Sequence, residues 1–261
     1  MEITSETIMK KRTGKRYDSV TDITQTEHIT MVKEIFTTIT EKYDFLNHFL
    51  SFGRDIVWRR FTASKMNFIK NRRYLDVATG TADLAIEVAR KYPQTNVIAL
   101  DFVQGMMKVG RHKSYKHNFS KKINFLQGDA LNLPFFDSSF DVVGIAFGIR
   151  NITDRSRALR EIKRVLVSGG QCMVLEMNFP RNVLFRGVYN LYLNHILPYL
   201  ARHFSQNPAA YHYLADSIIH FPSPEEFTAI MSEVGFTNIE RYALTMGITY
   251  LYVGSKPNNE N

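Results

Sequence analysis

The chain has 261 residues, 44% of them hydrophobic and 22% charged, with a formal net charge of +8. This composition supports a packed core in one large domain and excludes a disordered or fibrous chain. The positive balance leaves nucleic acid, an anionic membrane surface and a phosphate-bearing substrate open as partners, beside a merely soluble basic surface.

Cys172 is the only cysteine, so no internal disulfide can form. The first twenty residues hold no apolar run of signal-peptide length. No stretch reaches the ~20 apolar residues that a membrane span needs. A cytoplasmic protein is expected.

Residues 1–24 contain Lys10, Lys11, Arg12, Lys15 and Arg16 and little that can pack, which predicts a flexible basic arm. Ile29, Val32, Phe36, Ile39, Tyr43, Leu46 and Leu50 then recur at spacings of three and four, one apolar helix stripe with a break expected near Asp44–Asn47. A second helix is predicted over 55–69 with Trp58 and Phe61 inward. Together, 25–69 read as a helical cover.

From 70 to 255 strand and helix signals alternate. Strands are predicted at 74–78, 97–100, 123–126, 140–147 and 172–175, with helices between them. Gly169-Gly170 is expected to close the helix containing Leu159 and Ile162. Strands joined by helical crossovers form a parallel, doubly wound sheet. After a helix near 224–234, runs at 238–244 and 247–253 are too close for a crossover and must pair as an antiparallel edge hairpin. The expected class is α/β, one domain over 25–261.

Ligands of such sheets bind at the carboxyl ends of the strands. Leu75-Asp76-Val77-Ala78-Thr79-Gly80-Thr81-Ala82-Asp83 leaves the first strand and opens a helix there, making Asp76, Gly80 and Thr81 candidate cofactor contacts. Gly80 permits close backbone approach. The segment lacks the G-x-G-x-x-G pattern that a dinucleotide pyrophosphate requires, which argues against a nicotinamide dehydrogenase. Asp101 ends the second strand, where its two oxygens suit vicinal ribose hydroxyls, and Asp129 ends the third, within reach of an adenine amino group. Three such features at consecutive strand ends point to an adenosine-type ligand.

Several stretches are more specific. Lys42-Tyr43-Asp44-Phe45-Leu46-Asn47, Leu50-Ser51-Phe52-Gly53, Trp58-Arg59-Arg60, Phe147-Gly148-Ile149-Arg150-Asn151-Ile152-Thr153-Asp154, Val174-Leu175-Glu176 and Tyr213-Leu214-Ala215-Asp216-Ser217-Ile218 resemble the ubiquinone/menaquinone-biosynthesis C-methyltransferases (the UbiE/MenG family) over residues 30–254. The resemblance implies a seven-stranded class I fold of the S-adenosylmethionine (SAM) methyltransferases, with Thr81, Asp101, Asp129 and Ala130 lining the SAM site. The substrate it implies is a prenylated quinol, with demethylmenaquinol favoured over the ubiquinone precursor. Two positions depart from the pattern: Ala146 stands where some members carry serine, and Ala82 where many carry glycine.

A quinol carbon attacks the SAM methyl well only when a neighbouring hydroxyl has lost its proton, so alignment and phenolate stabilisation are the tasks. Arg150 and Asn151, after the fourth strand, and Tyr43 and Asp44, from the cover, are the candidate catalytic residues. Two readings stay open for Arg150: it holds the phenolate or a proton-accepting water, or it pairs with a nearby carboxylate. Glu176 is such a carboxylate, or itself a proton acceptor. For Tyr43, Asp44, Asn47 and His48 the alternatives are a face toward substrate and a capped helix break.

His195 reads as a core histidine, and no metal site is expected. The helical insertion at about 183–220, apolar on nearly every side through Val183–Phe204, is a buried lid, a channel wall for a prenyl tail, or a contact with the inner face of the cell membrane. No basic stripe interleaved with aromatics favours RNA. Whether the chain pairs as a homodimer stays open.

Overall fold

The computed structural model describes residues 25–40, 43–180 and 209–258, together with Gly187, Tyr189 and Leu191. The basic arm, His195 and most of the predicted insertion lie outside the described residues.

Helix α1 (Gln25–Ile39) buries His28, Val32 and Ile35, while Ile29 is 39% exposed. The inward face is thus turned slightly from the predicted stripe. The helix ends before Tyr43, earlier than expected. Threonine hydroxyls around its end donate back to main-chain carbonyls, Thr37 to Lys33 at 2.7 Å and Thr40, just past it, to Phe36 at 2.6 Å. Such back-bonding competes with helix continuation.

Helix α2 (Tyr43–Leu50) follows, then a left-handed turn at Phe52 (φ 51°) and Gly53 (φ 71°), and α3 (Arg54–Ser64). The turn separates the end of the predicted stripe from the predicted second helix, while the break within the stripe falls before Tyr43 rather than at Asp44–Asn47. α3 stops well short of residue 69 because the buried Asp141 carboxylate accepts the backbone N–H groups of Ile69, Asn71 and Arg73 at 2.9–3.1 Å. That capture holds the chain extended as it enters the sheet.

The core runs β1 (Arg73–Val77), α4 (Asp83–Lys91), β2 (Asn96–Asp101), α5 (Gln104–Lys116), β3 (Ile123–Gln127), β4 (Phe140–Ala146), a 3-10 turn (Ile149–Asn151), α6 (Arg155–Val165) and β5 (Leu166–Met177). Helices α7 (Ala209–Ile219) and α8 (Pro224–Glu233) precede β6 (Thr237–Leu244) and β7 (Thr249–Ser255). The seven strands form one sheet in the order β3-β2-β1-β4-β5-β7-β6. All pairings are parallel except those of β7, which runs antiparallel to both β5 and β6. The predicted hairpin is present, with its second strand inserted beside β5 and its first strand at the edge.

Gly169-Gly170 lies inside β5 and does not close α6, which ends at Val165 and passes directly into the strand. Gly169 (φ 76°) bonds to Lys256 O beside the sheet, and a Cβ on Gly170 would meet Asp141 O and Val167 O at 2.9 Å. The glycines serve an irregularity in the β4–β5 pairing.

Successive strand residues enter opposite cores, Leu75, Val143, Val174 and Tyr252 on one face and Tyr74, Val142, Met173 and Leu251 on the other. A third, smaller cluster joins Val32 and Ile35 of α1 to Tyr213 and Ile218 of α7. Because the order runs outward from β1 toward β2 and β3 on one side and from β4 on the other, the winding reverses between β1 and β4, where a ligand crevice opens.

Candidate active site

A cleft lies at this switch point, with about 1180 Å³ of empty space including the solvent at its mouth. It is bounded below by the ends of β1, β2 and β4 and above by α1 and α2. The space suits a ligand of nucleoside size with a second molecule beside it.

The loop after β1 is shaped by left-handed residues at Ala78 (φ 51°), Gly80 (φ 57°) and Ala82 (φ 66°). Asp76 holds it from below, 1% exposed, accepting from Tyr74 Oη at 3.0 Å and from Thr79 Oγ1 at 2.6 Å. Burial pushes its carboxyl up to about 6, against the hydrogen bonds from Thr79 and Tyr74. Gly144 of β4 is part of this arrangement, because a Cβ there would collide with Tyr74 Oη.

Asp101 accepts the Gly80 N–H at 2.7 Å on one oxygen and the Val103 N–H at 2.8 Å on the other. Burial raises its carboxyl above the usual range despite both bonds. The bonds fix its orientation and leave a lone pair on each oxygen, the pairing a vicinal diol needs. Asp129 and Ala130 line the cleft beyond Gly128, and Asp129 Oδ1 accepts the Leu131 N–H at 2.9 Å. Leu100, Phe102, Val103 and Leu131 supply apolar walls between the two aspartates. Asp76, Gly80, Thr81, Asp101, Asp129 and Ala130, all predicted from the sequence, meet in one cleft.

The predicted catalytic residues divide. Tyr43 and Asn151 line the cleft. Tyr43 is packed edge-on against Phe36 at 5.8 Å, and burial raises its hydroxyl above the ordinary value, opposed by Arg150 and by a hydrogen bond with Asn47. Asn151 Oδ1 accepts from Tyr213 Oη at 2.8 Å.

Arg150 turns away from the cleft, its Nη1 lying 2.6 Å from Glu176 Oε1 and 2.7 Å from Phe147 O. Of the two readings open for it, the carboxylate pairing is the one observed. Burial works against its charge, and Glu176 together with Tyr43 and Tyr213 holds its affinity for the proton above the ordinary value. Asp44 also faces a different group, accepting from Thr81 Oγ1 at 2.5 Å and from Lys113 Nζ at 2.7 Å. His48 Nδ1 meets Asp55 at 2.8 Å.

Arg59 carries no sequence signal of its own beyond its place in Trp58-Arg59-Arg60. It lines the cleft, pairs with Asp55 and Asp83, and lies over the Phe147 ring at 5.2 Å. His48, Asp55 and Asp83 bring ligand-type atoms within 4.8 Å of one another, but Arg59 and Lys113 already supply the cations there. Tyr213 likewise opens the Tyr213–Ile218 stretch, and nothing in the spacing joins it to Asn151 across 62 residues.

The profile of the ubiE/COQ5 methyltransferase family matches residues 21–256. The chain belongs to this family.

Ubiquinone/menaquinone biosynthesis C-methyltransferase UbiE of Geotalea daltonii is 44% identical over 232 residues, 88% of this chain and 98% of that protein. Demethylmenaquinone methyltransferase of Deinococcus radiodurans is 44% identical over 225 residues, covering 86% and 92%, and that of Thermus thermophilus 40% identical over 223 residues, covering 85% and 100%.

Among solved structures, the S-adenosylmethionine-dependent methyltransferase SibL superposes with TM-score 0.60 at 18% identity, over 83% of this chain and 58% of that one. The cyclase SpnF superposes with TM-score 0.62 at 16% identity, over 87% and 96%. These two establish the fold alone; chemistry differs on the same frame. For the family the cofactor is SAM, and the diol-oriented Asp101 with its apolar walls fits an adenosine.

Proposed function

We propose that this enzyme transfers the SAM methyl group to a ring carbon of a prenylated quinol, converting demethylmenaquinol to menaquinol, with the ubiquinone precursor as the alternative substrate. The observation that carries the reading is full-length similarity to relatives bearing the demethylmenaquinone methyltransferase name, one of them covered over 100% of its length.

Bound SAM supplies an electrophilic methyl on sulfonium. With its hydroxyl proton passed to water at the cleft mouth, the quinol ring carbon would be the nucleophile for that methyl, and S-adenosylhomocysteine would be the leaving group. The proton on that carbon then moves to the ring oxygen, restoring aromaticity. One proton is released overall.

Asp76, Gly80, Thr81, Asp101, Asp129 and Ala130 form the SAM side of the cleft in this reading. Tyr43 and Asn151 touch the quinol, Asn151 donating to the phenolate oxygen. Arg150, neutralised by Glu176, acts from behind the wall as the anchor of the turn, and Asp44 braces the cover, so both position rather than touch. Orientation in such a cleft contributes on the order of 7–11 kcal/mol.

The tail of the substrate supports bilayer contact as part of the proposal. No helix among the described residues is long and apolar enough to cross a membrane. However, α2, the turn after it and the start of α3 present Phe45 at 57%, Phe52 at 85% and Val57 at 51% exposure, beside exposed Arg54 and Arg60. Apolar groups flanked by cations suit the inner face of an anionic membrane.

Purified protein with SAM and chemically reduced demethylmenaquinol should give menaquinol, read by mass. If neither demethylmenaquinol nor its ubiquinone-pathway counterpart is methylated, the proposal fails.

A further inference from the structure

Three buried polar atoms that make no hydrogen bond, His28 Nδ1, Arg150 Nε and Arg155 Nε, belong to residues gathered around Tyr213. Tyr213 Oη lies 2.8 Å from Asn151 Oδ1 and 3.4 Å from His28 Nε2. The three residues come from α7, the 3-10 turn and α1, elements 62 and 185 residues apart along the chain by these pairs.

We infer that His28 and Tyr213 are positioning residues, a hydrogen-bonded chain that fixes the Asn151 amide with its NH₂ toward the cleft. The inference rests on the quinol-methylation reading for its catalytic consequence, though not for the chain itself.

The direction of the chain follows from donor bookkeeping. A neutral imidazole carries one N–H, and a buried N–H without an acceptor is rarer and costlier than a bare lone pair. Because Nδ1 has no partner, the proton belongs on Nε2, where Tyr213 Oη can accept it. The tyrosine proton is then directed to Asn151 Oδ1. With its oxygen engaged from behind, the amide can present only its donor side to the cleft. A phenolate oxygen meets N–H groups there, and a flipped amide would meet it with a like partial charge.

The surroundings keep the imidazole uncharged. Burial lowers its affinity for a second proton, and Arg155 at the start of α6 acts in the same direction. Around Tyr213, burial raises the hydroxyl well above its ordinary value. Glu176 of β5 and Asp216 of α7 act with burial, while Arg150 and Arg155 oppose it. The tyrosine therefore stays protonated and remains a donor.

The decisive measurement is nitrogen-resolved NMR of the His28 imidazole in the free protein, followed by kinetics of three variants. The expected spectrum is the neutral Nε2–H form, with a titration midpoint below that of a free imidazole. Tyr213→Phe should lower kcat on the order of tenfold, the loss of one hydrogen bond in the transition state, with SAM affinity and KM for the quinol little changed.

His28→Gln, which keeps an N–H donor, should retain most of the turnover that His28→Leu loses at comparable Tm. A Nδ1–H or charged imidazole at neutral pH overturns the inference, as does wild-type kcat in Tyr213→Phe, or equal kcat losses in the two His28 variants. A wild-type protein that methylates no quinol would defeat the function reading alone, since the imidazole spectrum still decides the chain.

Discussion

Arg150 Nη1 and Glu176 Oε1 lie 2.6 Å apart with the guanidinium 6% and the carboxylate 0% exposed, so each is the other's counter-ion inside the protein. The pair closes the turn after β4 onto β5, and Glu176 also accepts the backbone N–H groups of Arg150 and Met177. Removing one charge leaves the other buried alone, which costs about 3–5 kcal/mol.

Arg150→Ala is therefore expected to lower unfolding free energy in urea by that amount and to lose turnover, while retaining SAM affinity because no SAM-side residue depends on it. Arg150→Met with Glu176→Gln should recover most of the stability, since the glutamine carbonyl still accepts from the backbone and no charge is stranded. A double variant as unstable as the single one would refute the charge argument.

In the proposed reading Asp101 has two duties, and its substitutions should separate them. Its carboxylate already holds the Gly80 and Val103 N–H groups before any ligand arrives. Asp101→Ala should destabilise the free protein by about 1–3 kcal/mol, the cost of stranded donors. It should also raise the SAM Kd at least tenfold, measured by calorimetry. Asp101→Asn keeps one good acceptor and should give the smaller loss of stability. An unchanged SAM Kd in Asp101→Ala would remove the residue from the cofactor side of the cleft.

The strand-end side of this cleft, which we propose holds SAM, was legible from sequence because it is built locally. Gly80, Asp101 and Asp129 each lie at or just past the end of a strand whose apolar run marks that end, and the parallel winding brings those ends to one edge. The opposite side, proposed to face the quinol, was not, because its side chains are oriented by partners far along the chain. Nothing in the Phe147–Asp154 stretch tells that Arg150 will turn back to Glu176 while Asn151 faces forward. The same reason explains the short α3, whose end is set by Asp141 about seventy residues on, and the misplaced glycines of β5, whose Gly169 bonds to Lys256. Helix periodicity is blind to such captures.

Asp44 ties the cover to the cofactor loop through Thr81 and Lys113, and Lys113 also pairs with Asp83 at the start of α4. Asp44→Ala should release α2 from the loop. The expected result is a stability loss of about 1–3 kcal/mol, with faster amide exchange in Tyr43–Leu50 and weaker binding of both SAM and quinol. Asp44→Asn retains an acceptor for Thr81 and should fall between. If exchange in α2 is unaltered by Asp44→Ala, the cover is held by its apolar contacts and the latch has no role.

Asp76 gives the fold a pH dependence of unusual sign for a carboxylate. Its folded value of about 6 stands above the reference 3.8, chiefly because burial disfavours the charge. The folded state therefore holds the proton more tightly than the unfolded chain. The resulting stability is full below about 3.8 and is lost as pH rises through about 6. The shift corresponds to something on the order of 3 kcal/mol.

Asp76→Asn removes the titration while keeping an acceptor for the hydroxyls of Tyr74 and Thr79, both of which can rotate to suit an amide. Stability of the variant relative to wild type should thus increase between pH 4 and pH 7 by up to that amount, read from urea unfolding of the ligand-free protein. A relative stability that is flat with pH, or that falls as pH rises, would show that Asp76 is ionised throughout and that its hydrogen bonds outweigh its burial.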